Sequence, residues 1–158
     1  MKRQRLLFFI ATVLTIISAN AQTYKDFLVG AKQGNAQAQF NLGVCYDQGK
    51  GIAKNYQEAA KWYRLAAEQG NVLGQYNLGV CYYQGRGVAQ NHKEAVKWFR
   101  LAAGQELAEA QYNLGICYVT GDGIEKDIQQ AKEWIKKAAR NGNEQAQSFF
   151  KKNYNETW

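Results

Sequence analysis

Asn41-Leu42-Gly43-Val44-Cys45-Tyr46 returns as Asn77-Leu78-Gly79-Val80-Cys81-Tyr82 and again as Asn113-Leu114-Gly115-Ile116-Cys117-Tyr118, each copy 36 residues after the one before. A fixed period of this size marks a solenoid, in which a unit too small to hold its own core buries its apolar face against its neighbours. In the first copy Ala38, Leu42, Cys45 and Tyr46 fall at helical spacing. The stretch predicts an all-α chain, an α/α superhelical solenoid of three 36-residue helix-loop-helix repeats with half-repeat caps at both ends.

Outward from each copy the punctuation is as regular. Helix A of the first unit is predicted over about 36–48 and ends at Gly49-Lys50-Gly51, as later copies end at Gly85-Arg86-Gly87 and Gly121-Asp122-Gly123. A glycine just past a helix takes the left-handed cap conformation without a Cβ penalty. A phosphate-binding loop would need a preceding strand and a third glycine, and has neither. Helix B opens at Asn55-x-x-Glu58, Asn91-x-x-Glu94 and Asp127-x-x-Gln130, the arrangement of a capping box. Gly43 and Ala59 are small where two helices of a hairpin approach closely, and Trp62, Trp98 and Trp134 are expected as core between successive hairpins.

The same alignment covers half units on either side. Gly34-Asn35 corresponds to Gly70-Asn71 and Gly142-Asn143, and Phe150 falls at the leucine position of helix A. The organisation read from sequence is therefore a leader over 1–21, a capping half-repeat over 22–35, repeats over 36–71, 72–107 and 108–142, and a capping helix over 143–158. One link departs: Glu106-Leu107 stands where the others have Gly-Asn, so a different turn geometry is expected there.

Met1-Lys2-Arg3-Gln4-Arg5, an apolar run from Leu6 to Ile17, and Ser18-Ala19-Asn20-Ala21 form the pattern of a cleaved export signal. The run is shorter than the roughly 20 residues a spanning helix needs. Cleavage before Gln22, an exported chain (periplasmic or secreted) and no stable membrane insertion afterwards are the expectations. Removing Lys2, Arg3 and Arg5 lowers the net charge from +7 to +4. What remains is mildly basic, without the like-charge runs of a nucleic-acid-binding surface. Lys132, Lys136, Lys137 and Arg140 read as the solvated end of a helix, where cations are favoured.

Cys45, Cys81 and Cys117 occupy one position in three units. Equivalent helices in a stack lie about 8–10 Å apart, beyond the roughly 7 Å between Cα atoms that a disulfide tolerates. Three free, buried thiols are expected. No metal-ligand spacing and no cofactor motif is present. His92, the sole histidine, aligns with Tyr56 and Ile128 in the first turn of a helix B and reads as a structural variant.

The pattern Ala-x-Ala-Gln-Phe/Tyr-Asn-Leu-Gly-x-Cys-Tyr, Gly-x-Gly-Ile/Val, Ala-x-x-Trp-Tyr/Phe-x-x-Ala-Ala-x-x-Gly-Asn resembles the Sel1-like repeat, a relative of tetratricopeptide repeats, over about residues 24–152. The resemblance implies a non-enzymatic adaptor or scaffold that binds a protein or peptide on a concave face lined by the A helices. The chain departs from the cysteine-rich exported members, so their stapling disulfides do not carry over. The candidate contact residues are Phe40, Asn41, Val44 and Asp47; Tyr76, Asn77, Val80 and Tyr83; and Tyr112, Asn113, Ile116 and Val119. Asn41, Asn77 and Asn113 either hold the backbone of an extended peptide or satisfy backbone within the stack. Rows such as Tyr76, Tyr83 and Tyr112 also suit self-association, and the oligomeric state stays open. Some exported relatives carry a β-lactamase label, and Ser148-Phe149-Phe150-Lys151 matches S-x-x-K, but S-D-N and K-T-G are missing. That hydrolase is the alternative reading.

Overall fold

The computed structural model describes residues 23–154; the expected leader and the last four residues of the expected capping helix lie outside them. Eight helices follow one another without a strand among the described residues: α1 over 23–32, α2 Ala36–Gln48, α3 Tyr56–Glu68, α4 Val72–Gln84, α5 His92–Gly104, α6 Ala108–Thr120, α7 Ile128–Arg140 and α8 Glu144–Tyr154. Each of α2 to α8 packs against its neighbours in sequence. Even-numbered helices are the A helices and odd-numbered ones the B helices. No described helix is long and apolar enough to cross a membrane.

The core repeats with the sequence. Leu42, Leu78, Leu114 and Phe150 occupy one position in α2, α4, α6 and α8, and all are fully buried. The next residue is glycine wherever a B helix follows. A Cβ on Gly43 would meet the Tyr63 ring at 2.6 Å, and one on Gly79 the Phe99 ring at 2.7 Å. After Phe150 comes exposed Lys151 instead.

The tryptophans are not the deepest residues of this interface. Trp98 is buried, but Trp62 and Trp134 are half-buried. Their neighbours Tyr63, Phe99 and Ile135 are 1%, 2% and 1% exposed and sit over the glycines. A one-residue step turns a helical side chain by about 100°, so the tryptophans flank the core and the next residue fills it. Cys45, Cys81 and Cys117 are free and buried. Burial raises all three thiols, Cys81 and Cys117 to about 11.

The helix starts follow half of the capping-box expectation. Asn55 Oδ1 accepts the Glu58 N–H at 3.1 Å, Asn91 accepts that of Glu94 at 3.2 Å, and Asp127 accepts those of Gln129 and Gln130 at 2.9 Å. The reciprocal bond is replaced. The cap N–H groups of Asn55, Asn91 and Asp127 donate to the carbonyls of Tyr46, Tyr82 and Tyr118 at 2.9, 2.9 and 3.1 Å. Helix B is thereby fastened to the end of its own helix A, a partner that local spacing does not reveal.

A ladder of buried amides ties successive units. Gln39, Gln75 and Gln111 donate to the carbonyls of Ala31, Ala67 and Ala103 at 3.2–3.3 Å. Each accepts in turn from a residue just past the following B helix: Gln69 at 2.7 Å, Gln105 at 2.8 Å and Asn141 at 3.0 Å. Buried amides left unpaired are costly, so this ladder favours one register of the stack over others.

The turn at Glu106-Leu107 keeps the geometry of its counterparts, contrary to the sequence expectation. Glu106 has φ 65° where Gly34, Gly70 and Gly142 have φ 85–90°. Its N–H reaches the Ala103 carbonyl at 3.1 Å, as the Gly70 N–H reaches that of Ala67 at 2.9 Å. The stack dictates the backbone, and a non-glycine residue is held in the left-handed region at a cost of about 1 kcal/mol. Leu107 then provides no side-chain cap to α6, unlike Asn71 for α4. Glu106→Gly is expected to stabilise the chain by about 0.5–1 kcal/mol, seen as a rise of a few degrees in melting temperature. An unchanged or lower midpoint would mean that the left-handed turn carries no strain.

Candidate interaction surface on the A helices

Eleven of the twelve candidate residues are half-buried and Val119 is exposed. They do not form one continuous row. Val80 and Tyr83 of α4 meet Asn113 and Ile116 of α6 around a pocket of about 180 Å³, with Phe99 of α5, Gln84 and Cys117 completing the wall. Asn41 and Val44 of α2 line a second pocket of about 210 Å³ with Thr23, Phe27, Cys45 and Lys50. The two pockets are related by the repeat: Asn41, Val44, Cys45 and Phe27 stand where Asn113, Ile116, Cys117 and Phe99 stand two units on. Tyr76 and Phe40 lean on the rings of Phe99 and Tyr63 at 6.1 and 6.0 Å. Tyr112 packs on the last core cluster.

The three asparagines have three different partners. Asn41 accepts from the Gln37 amide at 3.1 Å, Asn77 donates to the Leu73 carbonyl at 2.8 Å, and Asn113 bonds the Tyr76 hydroxyl, whose pKa burial raises. Asn77 follows the backbone-satisfying reading, while Asn113 lies on a pocket wall.

Asp47 and Tyr83, equivalent positions, are engaged at the junctions between units. Asp47 Oδ1 lies 3.1 Å from Arg86 Nη2 in an ion pair without hydrogen-bond alignment, and the Arg86 guanidinium stands 5.1 Å over the Tyr56 ring. One unit later, the Tyr83 hydroxyl donates to Asp122 Oδ2 at 2.8 Å. His92 stacks on Tyr83 at 4.8 Å, with its Nδ1 3.6 Å from Asp122 Oδ1. Asp47, Arg86 and Tyr56 are thus replaced by Tyr83, Asp122 and His92 in the same places. Arg86, Asp122 and His92 were not among the candidates, although their matched variation was visible in the repeat alignment.

The Tyr83 hydroxyl, then Thr120 and His92, hold the Asp122 carboxyl below its ordinary value. The bond to Asp122 pushes Tyr83 up to about 12. A depressed carboxylate contributes stability above its unfolded value of 3.8, and that stability is lost as pH falls through the folded value. A raised phenol contributes below its unfolded value of 10.0, and that is lost as pH rises towards 12. Asp122→Asn is therefore expected to be less stable than the parent between about pH 5 and 9, with the difference closing in acid. Urea midpoints across pH check this, and a constant gap down to pH 2 would contradict it.

Ser148 and Lys151 are both exposed on α8 and line neither pocket.

The sequence matches the Sel1 repeat at residues 36–71, 72–106 and 108–143. Among solved structures the chain is similar to a Sel1 repeat protein from Oxalobacter formigenes, with 32% identity and a TM-score of 0.80, covering 85% of this chain and 55% of that one. It is also similar to a protective antigen of uropathogenic Escherichia coli strains displaying an SLR fold, with 40% identity and a TM-score of 0.74, covering 80% of this chain and 28% of the other. A curated relative, the DAP3-binding cell death enhancer 1 of Rattus norvegicus, is 42% identical over 40 residues, which are 25% of this chain and 8% of that protein. The chain thus spans less than two thirds of the length of each of these relatives. Three matched repeats, the A–B helix alternation and the shared solenoid make it a member of the Sel1 repeat family.

Proposed function

We propose that the chain is an exported scaffold that binds a segment of a partner protein along a concave face lined by α2, α4 and α6. Sel1 repeats generally mediate protein–protein interaction and are typically non-enzymatic scaffolds. The observation that carries the reading is the pocket between α4 and α6, where Val80, Phe99 and Ile116 offer apolar walls beside the amides of Gln84 and Asn113. Such a pocket accepts one apolar side chain while the amides meet the backbone next to it. Export rests on the leader pattern of residues 1–21.

Selecting peptides from a random display library against the full mature chain, then titrating them, tests the site. Ile116→Arg fills the pocket mouth with a charge and is expected to weaken selected peptides by at least about 10-fold. Peptides that bind this variant undiminished, or a library that yields none, would remove the proposal. Edman sequencing of protein recovered from the native cell tests export, which fails if the chain begins at Met1.

A further inference from the structure

We propose that the B-helix face is a second docking surface, independent of the A-helix pocket, and that it takes an acidic protein segment bearing aliphatic side chains. Val29, Leu65 and Leu101 occupy one position in α1, α3 and α5, and they are 57%, 42% and 45% exposed. Three apolar side chains at one register of successive B helices form a row, not a scatter. Each B helix packs on the A helices beside it in sequence, so the row steps from one unit of the stack to the next.

Four residues earlier on the same helix faces stand Lys25, Lys61 and Lys97, all exposed. Lys61 and Lys97 touch Glu58 and Glu94 in exposed pairs at 2.8 and 3.7 Å. Such solvent-exposed pairs hold their charges weakly.

The row ends in a charged pocket. Lys137 replaces the aliphatic residue in α7, and with Arg140, Trp134, Gln111, Asn141 and one acid, Glu106, it lines a space of about 300 Å³. The Lys137 amine lies 4.3 Å from the Trp134 ring centre. Cations gather towards the later B helices: α3 is balanced, with Lys61 and Arg64 against Glu58 and Glu68, α5 carries Lys93, Lys97 and Arg100 against Glu94, and α7 has four cations against Glu133, whereas α2, α4 and α6 together carry only Asp47 and Glu109.

This combination selects the occupant. A second copy docking by the same face would bring lysine rows together. A nucleic acid would use the cations but gain nothing from the aliphatic row. A segment with aliphatic residues facing the row and carboxylates facing the lysines and the Lys137–Arg140 pocket satisfies both.

Fluorescence anisotropy with defined probes tests this on the full mature chain. The probes are a 15-residue peptide with Leu at its first, eighth and fifteenth positions among Glu and Ala, the same peptide with Leu→Ser, the same with Glu→Lys, a 20-nucleotide single strand, and phosphatidylglycerol vesicles. The acidic leucine peptide is expected to bind at least about 10-fold tighter than either altered peptide, and to weaken with salt. Leu65→Ser with Leu101→Ser, and separately Lys97→Glu with Lys137→Glu, should each cost at least about 10-fold without moving the melting temperature by more than about 2 °C. Ile116→Arg should leave this binding unchanged, which separates the surface from the A-helix pocket. Equal binding of the Leu→Ser peptide, tighter binding of the oligonucleotide or vesicles, or indifference to both pairs of substitutions would overturn the proposal.

Discussion

Gly87→Ala is expected to destabilise the chain by about 4 kcal/mol, near the upper end of single substitutions. Two costs coincide there. Gly87 has φ 75°, in the left-handed region, where a side chain costs about 1 kcal/mol. A Cβ would also run into the carbonyl carbon and oxygen of Tyr56 and come within 2.9 Å of the Gln57 nitrogen, all backbone at the start of α3. No rotamer relieves a clash with backbone, so the loop after α4 must lift away from the preceding unit. Gly123 stands in the same relation to His92 and Lys93 at the start of α5. Gly70 and Gly142 supply the control: φ is 85° and 90°, yet a Cβ there meets nothing within 4 Å. Their alanine variants should lose only about 1 kcal/mol. Urea unfolding of the four variants separates strain from collision, and equal losses at Gly87 and Gly70 would show that the stacked loop is not the constraint.

This pair also marks how far sequence reading reaches. The first glycine of each Gly-x-Gly was legible because a helix C-cap is local: Gly49, Gly85 and Gly121 end α2, α4 and α6 with φ 69–84°. The second was not, because its role at Gly87 and Gly123 is a contact with the previous unit. The same division holds elsewhere. Asn55 and Asn91 announce helix starts through their own spacing, while the fate of their backbone N–H groups depends on the neighbouring helix. Leu42 and Gly43 were readable as core and close approach from period and size. Gln39, Gln75 and Gln111, polar residues in apolar surroundings, gave no local sign that they would be buried in a ladder running through three units. Glu106 misled in the opposite sense: a local rule predicted a different turn, and the stack on either side imposed the standard one. For the candidate surface, periodicity picked out a mostly half-buried side of the A helices, on which Phe40, Tyr76 and Tyr112 lean on the core. It did not show that Asp47 and Tyr83 would be engaged by the next unit, or that Phe99 would reach the pocket from α5.

Phe99→Ala is the second large effect, expected at about 3–5 kcal/mol. Phe99 is 2% exposed, lies over Gly79, and touches the rings of Tyr76 and Tyr83 at 6.1 and 6.3 Å. Removing the ring withdraws the side chain that fills the gap left by glycine, and neither helix backbone closes the space at no cost. The consequence extends beyond one hairpin. In a stacked array each unit is held by its interfaces, and Phe99 belongs to the cluster joining α5 to α6. The loss should appear as a lower urea midpoint and as faster amide exchange in α6 and α7 than in α2 and α3. Uniform exchange, or a loss below about 1.5 kcal/mol, would mean that the ring is replaceable. Phe99→Ile distinguishes volume from aromatic character. Isoleucine already fills this role over Gly115 as Ile135. A residue that branches at Cβ and still covers the glycine should therefore recover most of what alanine loses, whereas the pocket on the A-helix side, of which the ring is one wall, should bind its selected peptides more weakly in both variants.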